Sequence, residues 1–380
     1  MPALDWMRGL VMALMMTDHA SMAFNANRAS IESVHFDSQP RPELLDFLYR
    51  WLSHLCAPTF VFLAGAALAI SIQRKVARGD TARVIDCDLL IRGLIICSVE
   101  VVVISWLFDF LLLQVMYAIG VSMIAMIALR RMPTGLLLSL SVGVIVGQEL
   151  VFRPHSMFPM DPVSASAVSN ALLVSGARIP LSSELFGKWG EVFIAYPVLP
   201  WSAIMTLGWC FGRALICWEG DVDRDRKAAR LLLACGGVGI AVFLVTRGLN
   251  DFGNLSLLRR DGSLLEWLRA SKYPPSLSFI ALELGLSAIL LAGFYRLQGA
   301  LGGRATRNGP LLVFGQTAFF FYVVHMPALH LAAAALGMHK SGGLLEATVA
   351  SAIGLIALYP ACRLYRSYKR AHPESLLRYL

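Results

Sequence analysis

The sequence predicts an all-α, polytopic transmembrane bundle of about ten spans forming a single domain over residues 1–380, and three observations carry that prediction. Hydrophobic residues make up 57% of the chain and charged residues only 15%, against roughly 25% charged in soluble domains. Apolar runs of about 20 residues, each able to cross a hydrocarbon core of roughly 30 Å, recur along the whole length. The formal net charge of +8 gathers in alternate short loops, as the positive-inside bias requires. This composition excludes a secreted disulfide scaffold, a cytosolic enzyme and a disordered regulator, and it gives no reason to expect a nucleic-acid partner.

Apolar runs bounded by charge place helical segments near residues 5–25, 44–71, 89–108, 109–130, 133–151, 191–217, 231–249, 276–297, 310–333 and 344–365. With the N-terminus inside, 20 of the 33 basic residues fall on the inner side and 12 on the outer, with Arg92 within a span. Both termini are therefore expected in the cytoplasm. The long loops, about 26–43, 152–190 and 250–275, then lie outside, and function is sought there or between helices. The first apolar stretch carries ionisable residues and no small-residue cleavage site, so it reads as a retained span. The seven cysteines show no C-x-x-C and no His partner at ligand spacing, so they read as packing residues and no metal is expected.

Ionisable residues inside spans are the informative ones, because a charge at mid-membrane costs about 2.5–3.5 kcal/mol on insertion scales. In the first segment Arg8 and His19 are eleven residues apart and fall within roughly 20° of one helix face, about 16 Å along the axis. Asp5 shares that stripe and can pair with Arg8 one turn away. His19 is a candidate general base, with Asp18 beside it to orient the ring. Adjacent helical side chains diverge by about 100°, so an alternative remains open in which Asp18 faces another helix and His19 is oriented from elsewhere.

The second segment offers His54 four residues before Pro58, where a freed carbonyl allows a kink. Arg92 and Glu100 in the third segment and Glu283 in the eighth invite pairing within the bundle or contact with a ligand. In the ninth, Tyr322 and His325 lie one turn apart and face together. Two proline-bearing runs, from Tyr196 to Trp201 and around Lys272-Tyr273-Pro274-Pro275, suggest broken helices beside a cavity.

Five runs, LDWMRGLVMALMMTDHA, RWLSHLCAPTFVFLAGA, YPVLPWSAIMTLGWCFGR, SKYPPSLSFIALELG and FGQTAFFFYVVHM, occur in this order. Together they resemble the heparan-alpha-glucosaminide N-acetyltransferase catalytic-domain family, particularly its bacterial members. The Arg-Gly at Arg8, followed at eleven residues by His19, is also similar to the first-span motif of the wider membrane acyltransferases. The resemblance implies transfer of an acetyl or other acyl group from cytoplasmic acyl-CoA to a sugar amine or hydroxyl across the membrane, with His19 catalytic. In the animal lysosomal member the position of His19 resembles an asparagine, and the histidine credited with catalysis lies in the following outer loop, where this chain has His35.

The sequence-level expectation is thus an acetyl-CoA-dependent acyltransferase of an inner (plasma) membrane, with His19 and Asp18 catalytic. Arg8, His54, Arg92, Glu100, Tyr196, Trp201, Lys272, Tyr273, Tyr322 and His325 are expected to bind substrate or donor. Expected partners are membrane lipid, acyl-CoA and a carbohydrate or glycoconjugate acceptor, with a homo-oligomer left open. The rival class is a proton-coupled transporter using the same His, Arg and Glu residues, which would show matched broken helices in repeated halves.

Overall fold

The computed structural model describes residues 1–28, 32–33, 41–108, 110–151, 164–181, 189–301, 308–372 and 375. His35, Arg304, Arg307 and Arg378 lie outside the described residues. Helices dominate. Among the described residues, six of them are long and apolar enough to cross a membrane, counting the broken segment Leu44–Ala77 as one.

Helix α1 (Pro2–Phe24) starts with proline at its first position, where a missing N–H costs nothing, and carries Asp5 in the first turn. It runs through the middle of the bundle, touching α3 (Cys56–Ala77), α11 (Leu277–Leu301), α12 (Pro310–Gln316), α13 (Ala318–Ala335) and α14 (Leu344–Ala371). A Cβ on Gly315 would lie 1.8 Å from the carbonyl oxygen of Asp5, so only glycine admits this crossing of α1 and α12. Ahead of α3, α2 (Leu44–Leu52) gives way to a 3-10 turn at Ser53–Leu55. The break precedes Pro58 and sets His54 inward.

Helices α4 (Ala82–Val99) and α5 (Val115–Leu129) pack as an antiparallel pair, while α6 (Thr134–Val151) packs on α8 (Val198–Cys217). The short helix α7 (Ala165–Asn170) follows, and α8 also packs closely on α3. Helix α9 (Arg224–Leu249) packs along α11, and the five-residue α10 (Leu264–Leu268) lies in the loop between them. Leu136, Val142 and Leu150 on α6, and Ile353, Ile356 and Leu364 on α14, are exposed. That is the outer surface of a bundle whose solvent there is lipid rather than water.

Two expected helices are corrected. Residues 109–130 were expected as one span, but Leu111–Leu113 form strand β1 and the helix occupies only Val115–Leu129. Residues 191–217 begin with strand β3 (Glu191–Ile194), and α8 starts at Val198. With β2 (Ala177–Pro180) they make a three-stranded sheet of order β1-β3-β2. In it β1 runs parallel and β2 antiparallel to β3, with Phe193 opposite both Leu112 and Arg178. Short apolar runs read alike as strand or helix from periodicity, and pairing between segments some 80 residues apart decided this one.

Candidate active site

At the end of α1 away from the N-terminus, the helices and the sheet enclose a cavity of about 250 Å³. Its wall includes Asp18 and His19 from α1, Arg50 from α2, Lys272 and Tyr273 from the loop before α11, Tyr322 from α13, and Phe193 and Arg178 from the sheet.

His19 is nearly buried, and its Nδ1 lies 2.7 Å from Nε2 of His325. With centroids 4.9 Å apart and planes 15° apart, the two rings meet edge to edge, as an in-plane bond between the two nitrogens requires. His325 itself is fully buried, and its Nδ1 lies 2.9 Å from the carbonyl oxygen of Phe321 and 2.8 Å from that of Tyr322. His19 lines the cavity; His325 stands behind it.

Asp18 is not the ring's partner. Both of its oxygens accept from Arg50 at 2.6 Å, and one also accepts from Arg28 at 2.7 Å. The open alternative, in which Asp18 faces another helix and His19 is oriented from elsewhere, is therefore the one observed. Arg50 also donates to Glu32, which in turn bonds His54 at 3.2 Å. Two guanidiniums and two carboxylates thus neutralise one another along one wall, which is what makes burying them tolerable. Burial alone would raise the carboxyl of Glu32, but Arg50, the His54 ring and Lys272 hold it well below the usual carboxylate range. His54 sits behind Glu32, enclosed in protein and 2% exposed.

The Lys272-Tyr273 segment is fixed from three directions. The Lys272 N–H donates to the carbonyl of Glu32 at 2.7 Å, the Ser33 hydroxyl donates to the carbonyl of Tyr273 at 2.7 Å, and Gln148 donates to the carbonyl of Pro275 at 2.8 Å. The Lys272 ammonium lies 5.4 Å from the centre of the Tyr273 ring. Tyr196 stacks on Trp201 at 4.0 Å and faces Tyr273, so Tyr196 reaches the cavity while Trp201 supports it from beneath. On the sheet side, Arg178 lies over the rings of Phe110 and Phe193 and pairs with Glu191.

Three expected binding residues stand elsewhere. Arg8 bonds Asp5 at 3.1 Å and the carbonyl of Leu63 at 3.2 Å, and it lines a second cavity of about 360 Å³ at the other end of α1, with Ser71, Arg74 and Arg78. Arg92 lies 3.8 Å from Asp88, one turn away on α4. Glu100 begins a π-turn (Glu100–Ile104) and accepts from the N–H groups of Met116 and Tyr117, capping α5. Arg92 and Glu100 therefore do not pair with each other, and neither lines either cavity.

Arg28, Glu32, Arg50, Arg178, Phe110 and Phe193 were not singled out from sequence. Only Arg50 carried a local signal, standing one helical turn before His54. Loop and sheet pairing brought in the others, and no local pattern encodes that.

A family model described as heparan-alpha-glucosaminide N-acetyltransferase, catalytic, matches residues 1–246. No curated protein matches the chain.

Proposed function

The chain belongs to the heparan-alpha-glucosaminide N-acetyltransferase catalytic family, and on that premise we propose a transfer reaction for the cavity at His19. The family is one of membrane acetyltransferases, and the several apolar helices agree with an integral membrane protein. Our reading is that an acyl-CoA, acetyl-CoA first, donates from the cytoplasmic side, and that a sugar amine or hydroxyl accepts on the far side of a bacterial inner membrane. Both termini are then cytoplasmic, with ten segments crossing the bilayer.

In this reading His19 takes the proton of the acceptor as its nitrogen or oxygen attacks the thioester carbonyl. The bond from carbonyl carbon to acceptor forms, the carbon–sulfur bond breaks, and the proton passes from His19 to the departing thiolate. Lys272, a cation on the cavity wall, is placed to offset negative charge on the carbonyl oxygen. Asp18 acts through Arg50 and Arg28, holding the wall in shape. Tyr196, Tyr273 and Tyr322 shape the volume for the acceptor. Arg8, Arg74 and Arg78 around the second cavity suit the donor's phosphates. That cavity lies about 16 Å along α1 from His19, a distance for an extended pantetheine arm to bridge.

The observation that carries the reading is an inward-facing histidine on a cavity wall, its ring tied back to a second buried histidine. The test is equilibrium binding of acetyl-CoA to the purified, detergent-solubilised protein and to His19→Ala, followed by acetyl transfer to a panel of amino sugars. Saturable binding by both proteins with transfer only by the wild type is expected. Turnover retained by His19→Ala ends the catalytic assignment, and no binding by either protein favours the transporter class.

A further inference from the structure

We infer that His325 is a positioning residue that sets the tautomer of His19, so that His19 presents a bare Nε2 to the cavity. The inference rests on the reading of His19 as a base, and it follows from which atoms can donate.

A carbonyl oxygen only accepts. The Nδ1 of His325 lies within hydrogen-bond distance of two carbonyl oxygens, those of Phe321 and Tyr322, so that nitrogen carries a proton. A neutral imidazole has one protonated nitrogen, and the Nε2 of His325 is then an acceptor. Its partner at 2.7 Å is Nδ1 of His19, which must donate. The remaining nitrogen of His19, Nε2, is left with a free lone pair.

His325 must be neutral for this bond pattern, and its surroundings keep it so. The residue is 0% exposed, and among the described residues no carboxylate is bonded to it. The nearby Asp18 is committed to two guanidiniums. An imidazolium buried there without a bonded counter-ion would be costly.

The arrangement does for His19 what a carboxylate does in a Ser-His-Asp triad, fixing ring orientation and tautomer, but with a neutral acceptor. A carboxylate bonded to Nδ1 would favour the protonated ring and reduce the population able to take a proton. A neutral imidazole fixes the tautomer without that bias. When His19 takes a proton at Nε2, its Nδ1–H keeps the same partner, so the ring does not turn during the reaction.

Ring nitrogen-15 spectra of the solubilised full-length chain, labelled at its eight histidines, separate protonated from bare nitrogens. Comparison with His19→Ala assigns the His19 signals. The wild type is expected to show Nδ1 protonated and Nε2 bare. His325→Phe removes the acceptor and is expected to convert His19 to a mixture of tautomers. His325→Gln, whose amide oxygen can accept in place of Nε2, is expected to restore the Nδ1–H form.

Acetyl transfer should fall about 10²–10⁴-fold in His325→Phe, by analogy with loss of a triad's orienting partner. It should recover most of that loss in His325→Gln, with acetyl-CoA affinity changed less than twofold in both. An Nε2–H form of His19 in the wild type overturns the inference, and that measurement needs no variant to fold. So does a His325→Phe tautomer identical to the wild type. If acetyl-CoA fails to bind, the acyltransferase reading falls while the tautomer result stands. If acetyl-CoA binds and His19→Ala is inactive but the tautomer is wrong, only the positioning role falls.

Discussion

Arg50 decides the local electrostatics of the cavity wall, because Asp18 and Glu32 both accept from it. Removing it with Arg50→Met leaves two buried carboxylates that keep Arg28, Lys272 and the His54 ring but lose the guanidinium shared between them. The expected cost is about 3–5 kcal/mol of stability, read as a lower unfolding temperature in detergent. Glu32 gives a pH test. Its folded carboxyl titrates below its unfolded one, so its contribution is present above the unfolded value of about 4.3 and is lost as pH falls toward the folded value. Unfolding temperature in the wild type should therefore drop more steeply below about pH 4.3 than in Glu32→Gln, which lacks that contribution at every pH. Equal slopes in the two proteins would remove Glu32 from the acid response. His19 was legible as a single residue because an ionisable group in an apolar run needs a reason. Its partner was named as a candidate too, but nothing in the sequence joined two positions 306 residues apart.

Among elements, the helices fall into two kinds. Helix α1 is not among the six apolar enough to be counted as spans, although it runs through the centre of the bundle. Because other helices rather than lipid surround it, α1 can carry Asp5, Arg8, Asp18 and His19 with partners among otherwise apolar buried residues. Helix α8 is a second such case, and its contact with α3 depends on close approach of the two backbones. A Cβ on Gly208 would lie 1.9 Å from the carbonyl oxygen of Phe62. Gly208→Leu should therefore force α3 and α8 apart and destabilise the protein by more than the about 1–3 kcal/mol typical of overpacking. Gly143→Leu on α6, where nothing lies within 4 Å, should be tolerated. Comparable losses of unfolding temperature in the two variants would contradict the crossing. Each of the ten segments read from apolar runs contains a helix, but strands β1 and β3 of the cavity's sheet were hidden within two of them. A three- or four-residue strand has too few positions to show alternation against an apolar background.

At the scale of the whole molecule the proposed topology is directly measurable. Helix α9 separates Val222, fully exposed before its start, from Asp251, exposed just after its end. With cytoplasmic termini, a cysteine introduced by Asp251→Cys should react with a membrane-impermeant maleimide in intact cells. One introduced by Val222→Cys should react only after permeabilisation. The reverse pattern would invert the bundle and move the His19 cavity to the cytoplasmic side, where an external acceptor would not reach it.

Composition and apolar run length determined by themselves that this is a helical membrane protein, because the bilayer imposes a length and polarity on every segment it surrounds. Five runs in order were enough to point to the family, and three of them lie within the residues 1–246 that match it. Only the tertiary structure decided that Asp18 serves Arg50 rather than His19, that Arg8 and His19 open on different cavities, and that a small sheet completes the wall. The physical reason is one of range. Hydropathy and helical period act between neighbours along the chain, whereas a hydrogen bond between buried side chains depends on which helices cross, and that is set by packing over the whole bundle.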